Sequence, residues 1–374
     1  MVEIREVKTQ RDLKRFVNFP DKLYKGNPYY VPTLKMDEMN VLRWHKNPAF
    51  TFCEAAYFLA YRDGEIVGRI GTILNNRANE TWDQKRVRIT RLDFIDDAEV
   101  FDTLIDAAEQ WAKEKGMEEV QGPLGFTDMD FEGMLVEGFE ELGTFSTIYN
   151  HPYYMEHMMR RGFTKDVDWL EYQITVPDKP DEKVARIAEI VKKRYGYRML
   201  EFKRAKDILP WGHRIFDVLE EAYRELYGVA PLTPEMVDSY IDSYIGFANP
   251  DFIKLVVDEN DELVAFGITF PSFSRAMQKS RGRLLPFGFI PILRSIKKND
   301  RLDLYLVGVK PELQGKGINA LLMDAITRSA IKYNIKIAES NPELEVNEKV
   351  QSQWKFYETR QHRRRRCFVK AVGE

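Results

Sequence analysis

Apolar and polar positions form two hairpin-like patterns, one in each half of the chain. The first runs from Ala56 to Thr72 and the second from Phe252 to Thr269, and each joins two apolar runs through a short acidic turn. Apolar runs bounded by turn residues are typical of paired antiparallel strands. Because the pattern recurs near the middle of both halves, we predict a tandem duplication.

The two halves also share a helical pattern, in which apolar residues recur every three or four positions. Before the hairpins, the predicted helices cover residues 9–24 in the first half, and 207–228 and 234–244 in the second. After a further strand, amphipathic helices follow at residues 98–115 and 317–332. This order predicts an α/β (α+β) fold, in which each mixed, mostly antiparallel twisted sheet is flanked by helices.

A segment rich in proline and charge separates the halves at residues 175–182. Two prolines and several charged residues so close together are typical of a connecting turn or linker. Helical periodicity resumes after it, over residues 182–194. We therefore predict two domains, residues 1–178 and residues 179–374.

Composition and charge limit the classes of function. The 374 residues are 44% hydrophobic, which is enough for two cores. A net charge of -3 gives no global attraction to nucleic acid or to an anionic membrane. Cys53 and Cys367 make no disulfide framework, and the histidines are scattered, so we expect no metal. Without a signal-like or membrane-spanning apolar run, the expected location is cytoplasmic, with no stable membrane insertion.

The segment that joins a strand to a helix at residues 304–323 carries the most chemical information. Its β-run ends at Val309, and Pro311 stops strand pairing because it has no N–H. The glycines of residues 314–319 let backbone amides approach a ligand. The next helix begins with unpaired N–H groups and a partial positive charge, and Lys316 adds another. The segment predicts a pyrophosphate site; the alternative is an ordinary turn whose glycines only allow tight packing.

The string Val309-x-Pro311-x-x-Gln314-x-x-Gly317 resembles the signature of the GNAT superfamily of N-acetyltransferases, V-x-P followed by Q/R-x-x-G-x-G/A. The resemblance implies transfer of an acetyl or other acyl group from acetyl-CoA, the cosubstrate, to an amine of a small molecule or peptide. Asn319 stands where the family usually has Gly or Ala, so its side chain either crowds the phosphate or hydrogen-bonds to it. The resemblance assigns to CoA the residues Val307, Val309, Gln314, Gly315, Lys316, Gly317, Ile318, Asn319 and Asn347, with Val309 pairing by backbone with the pantetheine arm.

The catalytic candidates lie downstream of this loop. In GNAT proteins a tyrosine of the helix after Asn347 commonly protonates the departing thiolate, and here that place holds Trp354. The resemblance therefore points to Tyr357, three residues later, with an aromatic core residue as the alternative.

The candidate general base is Glu339, at the end of the strand beside the loop strand. Asp303 and Tyr305, on the loop strand itself, are further candidates. The alternative for Glu339 is an exposed strand-end carboxylate without a catalytic role.

The N-terminal half resembles the same fold only in outline. Residues 86–94 occupy the place of the loop strand, but residues 95–99 contain no glycine and three carboxylates. These charges suit the helix dipole by themselves and would repel a pyrophosphate. We predict a degenerate copy that does not bind CoA; whether it shapes a substrate groove or is purely structural stays open.

Two further segments have several interpretations. Residues 284–293 are apolar, interrupted by prolines and flanked by basic residues. They are compatible with a lid, an acyl-chain pocket, a membrane-surface helix or an insertion packed on the core. The basic run of residues 362–366 is compatible with a contact to CoA phosphate or to an acidic substrate, and with a solvated edge strand, which we favour.

Tandem GNAT-like domains also resemble the peptidoglycan and lipid aminoacyltransferases, which use aminoacyl-tRNA, and some long-chain acyl-amino-acid synthases. A larger-donor transferase is therefore one alternative to an acetyltransferase. A non-catalytic CoA- or ligand-binding protein is another, because Asn319 and Trp354 depart from the family pattern.

Overall fold

The structure, a computed structural model, describes residues 1–244 and 248–373. The chain forms two compact units. Neither the predicted division at residue 178 nor any other single cut separates them, because the chain returns to unit 1 twice; the predicted domains stay a hypothesis about duplication. Unit 1 consists of Met1–Leu170, Phe273–Ile292 and Arg363–Glu374, and unit 2 of Glu171–Ser272 and Leu293–His362.

The described residues contain fourteen strands and twelve α-helices. The strands are β1 (Glu3–Glu6), β2 (Cys53–Arg62), β3 (Glu65–Asn75), β4 (Arg86–Phe94), β5 (Glu119–Gly122), β6 (Met134–Glu137), β7 (Thr164–Thr175), β8 (Arg198–Leu200), β9 (Ile253–Val257), β10 (Leu263–Pro271), β11 (Arg301–Val309), β12 (Ile337–Ser340), β13 (Glu343–Leu344) and β14 (Thr359–Ala371). The helices are α1 (Gln10–Leu23), α2 (Lys35–Val41), α3 (Asn76–Thr81), α4 (Ala98–Glu114), α5 (Tyr153–Arg160), α6 (Glu182–Tyr195), α7 (Gly212–Tyr223), α8 (Pro234–Tyr244), α9 (Ser274–Ser280), α10 (Phe289–Lys297), α11 (Ile318–Lys332) and α12 (Glu348–Gln351). In the part of the chain that is described, we find no helix with the length and apolar character that crossing a membrane requires.

Unit 1 is built on a sheet in the order β1-β2-β3-β4-β5-β14. Strands β1 to β4 pair antiparallel, whereas β4 and β5 are parallel and are joined by α4. A parallel neighbour requires a crossover of this kind. The apolar face of α4, with Phe101 and Leu104, packs on Ile70 and Ile89 of the sheet.

Unit 2 repeats this arrangement. Its strands follow the order β8-β9-β10-β11-β12, and the last residues of β7 pair with β12. Strands β8 to β11 are antiparallel, and β11 and β12 are parallel and joined by α11. Helix α6 packs on α11, with Ala188 and Val191 in one cluster with Ile318 and Leu322. The predicted mixed sheets and the repeated fold are thus confirmed.

Two predicted helices are shorter than their periodicity implied. The prediction for residues 207–228 becomes two 3₁₀ turns followed by α7, because Pro210 cannot continue an α-helix hydrogen-bond ladder. The helix predicted from residue 348 stops at Gln351, and a tighter 3₁₀ segment, Ser352–Phe356, follows. That tighter turn buries Trp354 to 5% exposure.

The prediction of a solvated edge strand for the basic run is wrong. The side chains of Arg363 and Arg365 are buried, and each donates to a main-chain carbonyl of unit 1. Arg364 and Arg366 both bind the buried carboxylate of Asp168, and Arg366 does so at 2.7 and 2.9 Å. Buried guanidinium groups persist only where such acceptors satisfy them. These four arginines therefore stabilise unit 1 and β14.

Candidate functional site

The end of β11 presents one backbone edge away from β10. The N–H of Lys310 donates to the carbonyl of Val264 in β10 at 3.0 Å. Successive residues of a strand direct their backbone groups to alternate sides. The N–H and C=O groups of Val307 and Val309 therefore point away from β10. This is the edge that the sequence analysis assigns to the pantetheine arm.

Strand β12 covers only the first part of that edge. The parallel pairing runs from Arg301 opposite Ile337 to Leu304 opposite Ser340, and β12 ends there. The next residue, Asn341, still donates its N–H to the Leu304 carbonyl at 3.2 Å. Beyond this point no further pairing of the two strands is described, although the side-chain amide of Asn341 still donates to the Tyr305 carbonyl at 2.7 Å. The pairing with β10 is irregular at the same place, where a β-bulge changes the direction of the chain. Among the described residues, β12 therefore leaves the end of β11 without a paired strand on this side.

Two side chains of unit 2 contact this open edge. The hydroxyl of Tyr223 donates to the Val307 carbonyl at 3.0 Å, and the side-chain amide of Gln314 donates to the Val309 carbonyl at 3.3 Å. Both contacts are made to the carbonyls of the two valines. The N–H groups of the same valines point in the same direction and take part in neither contact. None of the residues that the structure describes accepts from these N–H groups, so they are available as donors to a ligand that lies along β11.

The loop between β11 and α11 is exposed. Gly315 and Gly317 have left-handed backbone conformations, with φ of 76° and 84°, which glycine adopts without a Cβ clash. No side chain caps α11. The first hydrogen bond of the helix runs from the Ala320 N–H to the Gly317 carbonyl at 3.0 Å, so the amides of the two residues between them have no helical acceptor. The side chain of Asn319 is exposed at this helix start.

The two loop glycines differ in their surroundings, which gives a matched pair of substitutions. A Cβ at Gly317 would lie 2.9 Å from Cγ2 of Val191 and 3.5 Å from Cγ2 of Ile187 in α6, whereas a Cβ at Gly315 would meet nothing within 4 Å. We expect Gly315→Ala to lower the free energy of unfolding by about 1 kcal/mol through backbone strain. Gly317→Ala adds overpacking, for a loss of about 2–4 kcal/mol. Urea melts of both variants test this, and equal losses would contradict the packing role of Gly317.

Unit 1 shows why the corresponding helix start in that unit is unsuited to a phosphate. There Asp97 caps α4 by accepting from the Val100 N–H at 3.0 Å, and Arg62 binds the same carboxylate at 2.8 and 2.9 Å. The hydrogen bond from Arg62 lowers the pKa of Asp97 to about 2, so the carboxylate is ionised at neutral pH. The start of α4 already contacts an anion of its own chain, whereas the start of α11 has no such side chain.

The predicted general base, Glu339, is buried in β12 with 5% exposure and forms a salt bridge with Arg301. A substrate amine would have to displace that guanidinium to reach it. Asp303 and Tyr305, the other candidates on β11, are 2% and 8% exposed. The catalytic role of Glu339 stays a prediction. The alternative, an exposed carboxylate at a strand end, does not describe Glu339, because this side chain is buried.

A carboxylate that the sequence pattern did not indicate follows shortly after the end of β12. Glu343 follows Ser340 by three residues, and the indole N–H of Trp354 donates to its two oxygens at 3.0 and 3.2 Å. Burial raises the pKa of Glu343 to about 8, although hydrogen bonds from Trp354 and Ser340 oppose the shift. A carboxyl that titrates near neutral pH is suited to proton transfer. The sequence alone does not indicate Glu343 as a candidate, because its burial and its contact with Trp354 arise only in the folded chain.

The remaining predicted residues have local partners. The hydroxyl of Tyr357 lies 3.3 Å from the Thr327 hydroxyl of α11, and burial raises the pKa of Tyr357, which keeps it protonated. Asn347 caps α12, with its side-chain oxygen accepting from the Val350 N–H at 3.3 Å. The roles of both residues stay predictions. Across residues 1–244 and 248–373, no group of three or more His, Cys, Asp or Glu side chains is placed to hold a metal ion.

Comparison with known proteins agrees with this geometry. Residues 213–362, which include β11, the loop, α11 and Glu343, match the model of the Acetyltransferase (GNAT) family. The chain is 25% identical over 376 residues to Protein YghO of Escherichia coli, with 99% of this chain and 95% of that protein covered. It is also 25% identical over 359 residues to the bacterial ceramide synthase of Caulobacter vibrioides, with 91% and 90% covered.

A solved structure extends the likeness to the whole chain. The tandem GNAT protein from the clavulanic acid biosynthesis pathway superposes with a TM-score of 0.57 at 12% identity, covering 100% of this chain and 99% of that one. At this identity the match establishes the fold alone. The first half, which lies outside the family match, shares the tandem GNAT fold.

Proposed function

We propose that this protein transfers an acyl group from an acyl-CoA to an amine, because residues 213–362 match the model of the Acetyltransferase (GNAT) family. One observation carries the proposal: the uncapped start of α11, with the exposed loop of residues 314–319 directly after β11. Free amides and the helix dipole favour a diphosphate at this point. Lys316 supplies a positive charge beside them.

The open edge of β11 supports the position of the rest of the donor. In the proposal, the pantetheine arm follows Val307 and Val309 and pairs with their backbone groups, replacing the side-chain contacts of Tyr223 and Gln314 where these overlap. In the proposal, the thioester then lies where the pairing of β11 with β12 ends. A backbone N–H of this edge is the proposed donor to the oxyanion that forms when the carbonyl is attacked.

The proton transfers use two residues of the same unit. Glu343 accepts a proton from the substrate ammonium, and the neutral amine attacks the thioester carbonyl carbon. The C–N bond forms and the C–S bond breaks, the attacking nitrogen releases its second proton to water to leave the neutral amide, and the CoA thiolate takes up a proton from a donor that is then reprotonated by water. We keep Tyr357 as the proposed donor of that proton, because its raised pKa leaves the hydroxyl protonated. Ground-state contact between Trp354 and Glu343 holds the carboxyl in place.

A second candidate is the same reaction with a long-chain donor and a lipid amine. The similarity to a protein named bacterial ceramide synthase favours it, since ceramides are N-acylated long-chain amino alcohols. The apolar side chains of residues 284–293, several of which are exposed, also favour it. An aminoacyl-tRNA donor, the other alternative considered from the sequence, is less favoured. The chain has a net charge of -3, which does not attract a polyanionic tRNA.

Titration calorimetry with CoA tests the proposal, followed by mass spectrometry of reactions that contain acetyl-CoA or palmitoyl-CoA and a panel of amines. We expect CoA to bind with a micromolar dissociation constant and one acyl-CoA to yield an amide of the corresponding mass. A long-chain product with a long-chain amino alcohol selects the second candidate. Absence of CoA binding at millimolar ligand, with the protein folded by circular dichroism, rejects both.

A further inference from the structure

A single stretch of the chain concentrates positive charge. Residues 272–299 contain seven Lys and Arg residues and no Asp or Glu. Since the whole chain carries a net charge of -3, the rest of it carries -10, which is seven lower. So strong an asymmetry within 28 residues is typical of a surface that meets an anionic partner.

The same stretch exposes large apolar side chains. Leu285 is 79% exposed and Phe287 is 70% exposed, and they precede α10, in which no residue is buried. Within α10, Phe289, Leu293 and Ile296 follow one another at intervals of four and three residues, which places them on one face of the helix. Four large apolar side chains exposed within nine residues, Leu285, Phe287, Phe289 and Leu293, are typical of an interaction surface.

The base of this segment is held firmly in unit 1. Gly282 is buried, has a φ of 67°, and accepts from the Lys35 N–H at 2.8 Å. The side chain of Gln278 donates to the carbonyls of Pro28 and Tyr30 at 2.8 and 3.0 Å. These bonds fix the start of the segment, at Gln278 and Gly282, in unit 1.

The basic side chains around the apolar cluster form no ion pair among the residues that the structure describes. This holds for five of them: Arg281, Arg283, Arg294, Lys297 and Lys298. Aromatic and aliphatic side chains flanked by unneutralised Lys and Arg have the composition of a helix that lies in a bilayer interface, where apolar residues enter the acyl boundary and cations meet lipid phosphates.

We propose that residues 281–298 dock this protein on the anionic surface of a lipid bilayer. The proposal goes beyond the acyl-transfer function and does not depend on it. The apolar side chains and the cations have different roles, and both are needed. The apolar side chains contact the bilayer, and the cations select anionic lipid. A neutral protein surface fits less well, because it would leave five unpaired cations in the contact.

The charge arm of the test uses co-sedimentation with vesicles of phosphatidylcholine, with or without 30% phosphatidylglycerol. We expect binding to the anionic vesicles that weakens at high salt. Lys297→Ala with Lys298→Ala should lower the partition coefficient about 25-fold, at roughly fivefold for each cation. Lys14→Ala with Lys25→Ala, also exposed basic residues, is the matched control and should leave it unchanged.

The apolar arm compares Leu285→Ser with Phe287→Ser, as a double variant, against Met159→Ser, a control that is 60% exposed in unit 1. We expect the double variant to lose vesicle binding and the control to keep it. A Phe287→Trp variant gives an independent readout, because brominated lipids should quench the introduced indole. Equal binding by all variants overturns the proposal. A dimer in solution that the double variant dissociates, without vesicle binding, also overturns it by assigning this face to a second copy.

Discussion

The Glu343→Gln variant is expected to lose about a hundred- to thousandfold in kcat/KM, the size of effect typical of a lost general base. The glutamine retains an oxygen that can accept from Trp354, so the packing around the indole is preserved. The wild-type rate should rise with pH as the carboxyl ionises, because burial raises the pKa of Glu343 to about 8. The variant should lack that rise. Rates measured from pH 6 to 9.5 at saturating and limiting donor test both statements.

The pH dependence of stability gives a second, independent readout of the raised pKa of Glu343. The pKa of Glu343 is higher in the folded than in the unfolded protein, where a glutamate has a model value of 4.5. Its contribution to stability is therefore complete below pH 4.5 and is lost as the pH rises through about 8. Relative to the wild type, Glu343→Gln should become more stable between pH 5 and 9. The exposed Glu358→Gln serves as the control. An unchanged pH–rate profile in the variant would leave Glu343 as a structural partner of Trp354.

The Asn319→Asp variant is expected to bind CoA about ten- to a hundredfold more weakly while it remains as stable as the wild type. The substitution is nearly isosteric and places a negative charge in the first turn of α11. That charge favours the helix dipole. It opposes a diphosphate a few ångströms away by about 1–3 kcal/mol at the dielectric of a protein surface. A variant that keeps its fold and loses its ligand therefore identifies the phosphate site.

Calorimetry with CoA in low and high salt measures this effect, which salt should reduce. Asn319→Ala is the matched control, and it restores one of the residues that the family usually has at this position. Unchanged or tighter binding in the alanine variant shows that the amide side chain crowds the phosphate, whereas weaker binding shows that it donates to it. If the aspartate variant binds CoA as the wild type does, the diphosphate does not lie at the start of α11.

The sequence predicted the elements whose cause is local. The helix predicted over residues 98–115 is α4, from Ala98 to Glu114, because its apolar spacing, the Asp97 cap and Gly116 all lie within one segment. The hairpins of both halves and the loop after Val309 follow for the same reason, as turn residues and glycines determine them over a few positions.

Features that depend on contacts between distant residues were predicted wrongly from the sequence or were not predicted at all. The run from Arg363 to Arg366 reads as a solvated strand, yet Asp168 and carbonyls almost 200 residues or more away satisfy it. The helix predicted after Asn347 ends early where Trp354 turns inward to Glu343.

The chain's local pattern thus determined the repeated strand–helix order and the glycine turn before α11, since backbone geometry and amphipathic spacing act over a few residues. Tertiary structure alone decided the environment of Glu343, because the burial that raises its pKa to about 8 depends on side chains that fold around it. It also decided which basic residues are exposed: the four arginines of residues 363–366 are buried or paired within unit 1, and those beside α10 are not. Desolvation and charge pairing depend on side chains brought together from remote parts of the sequence.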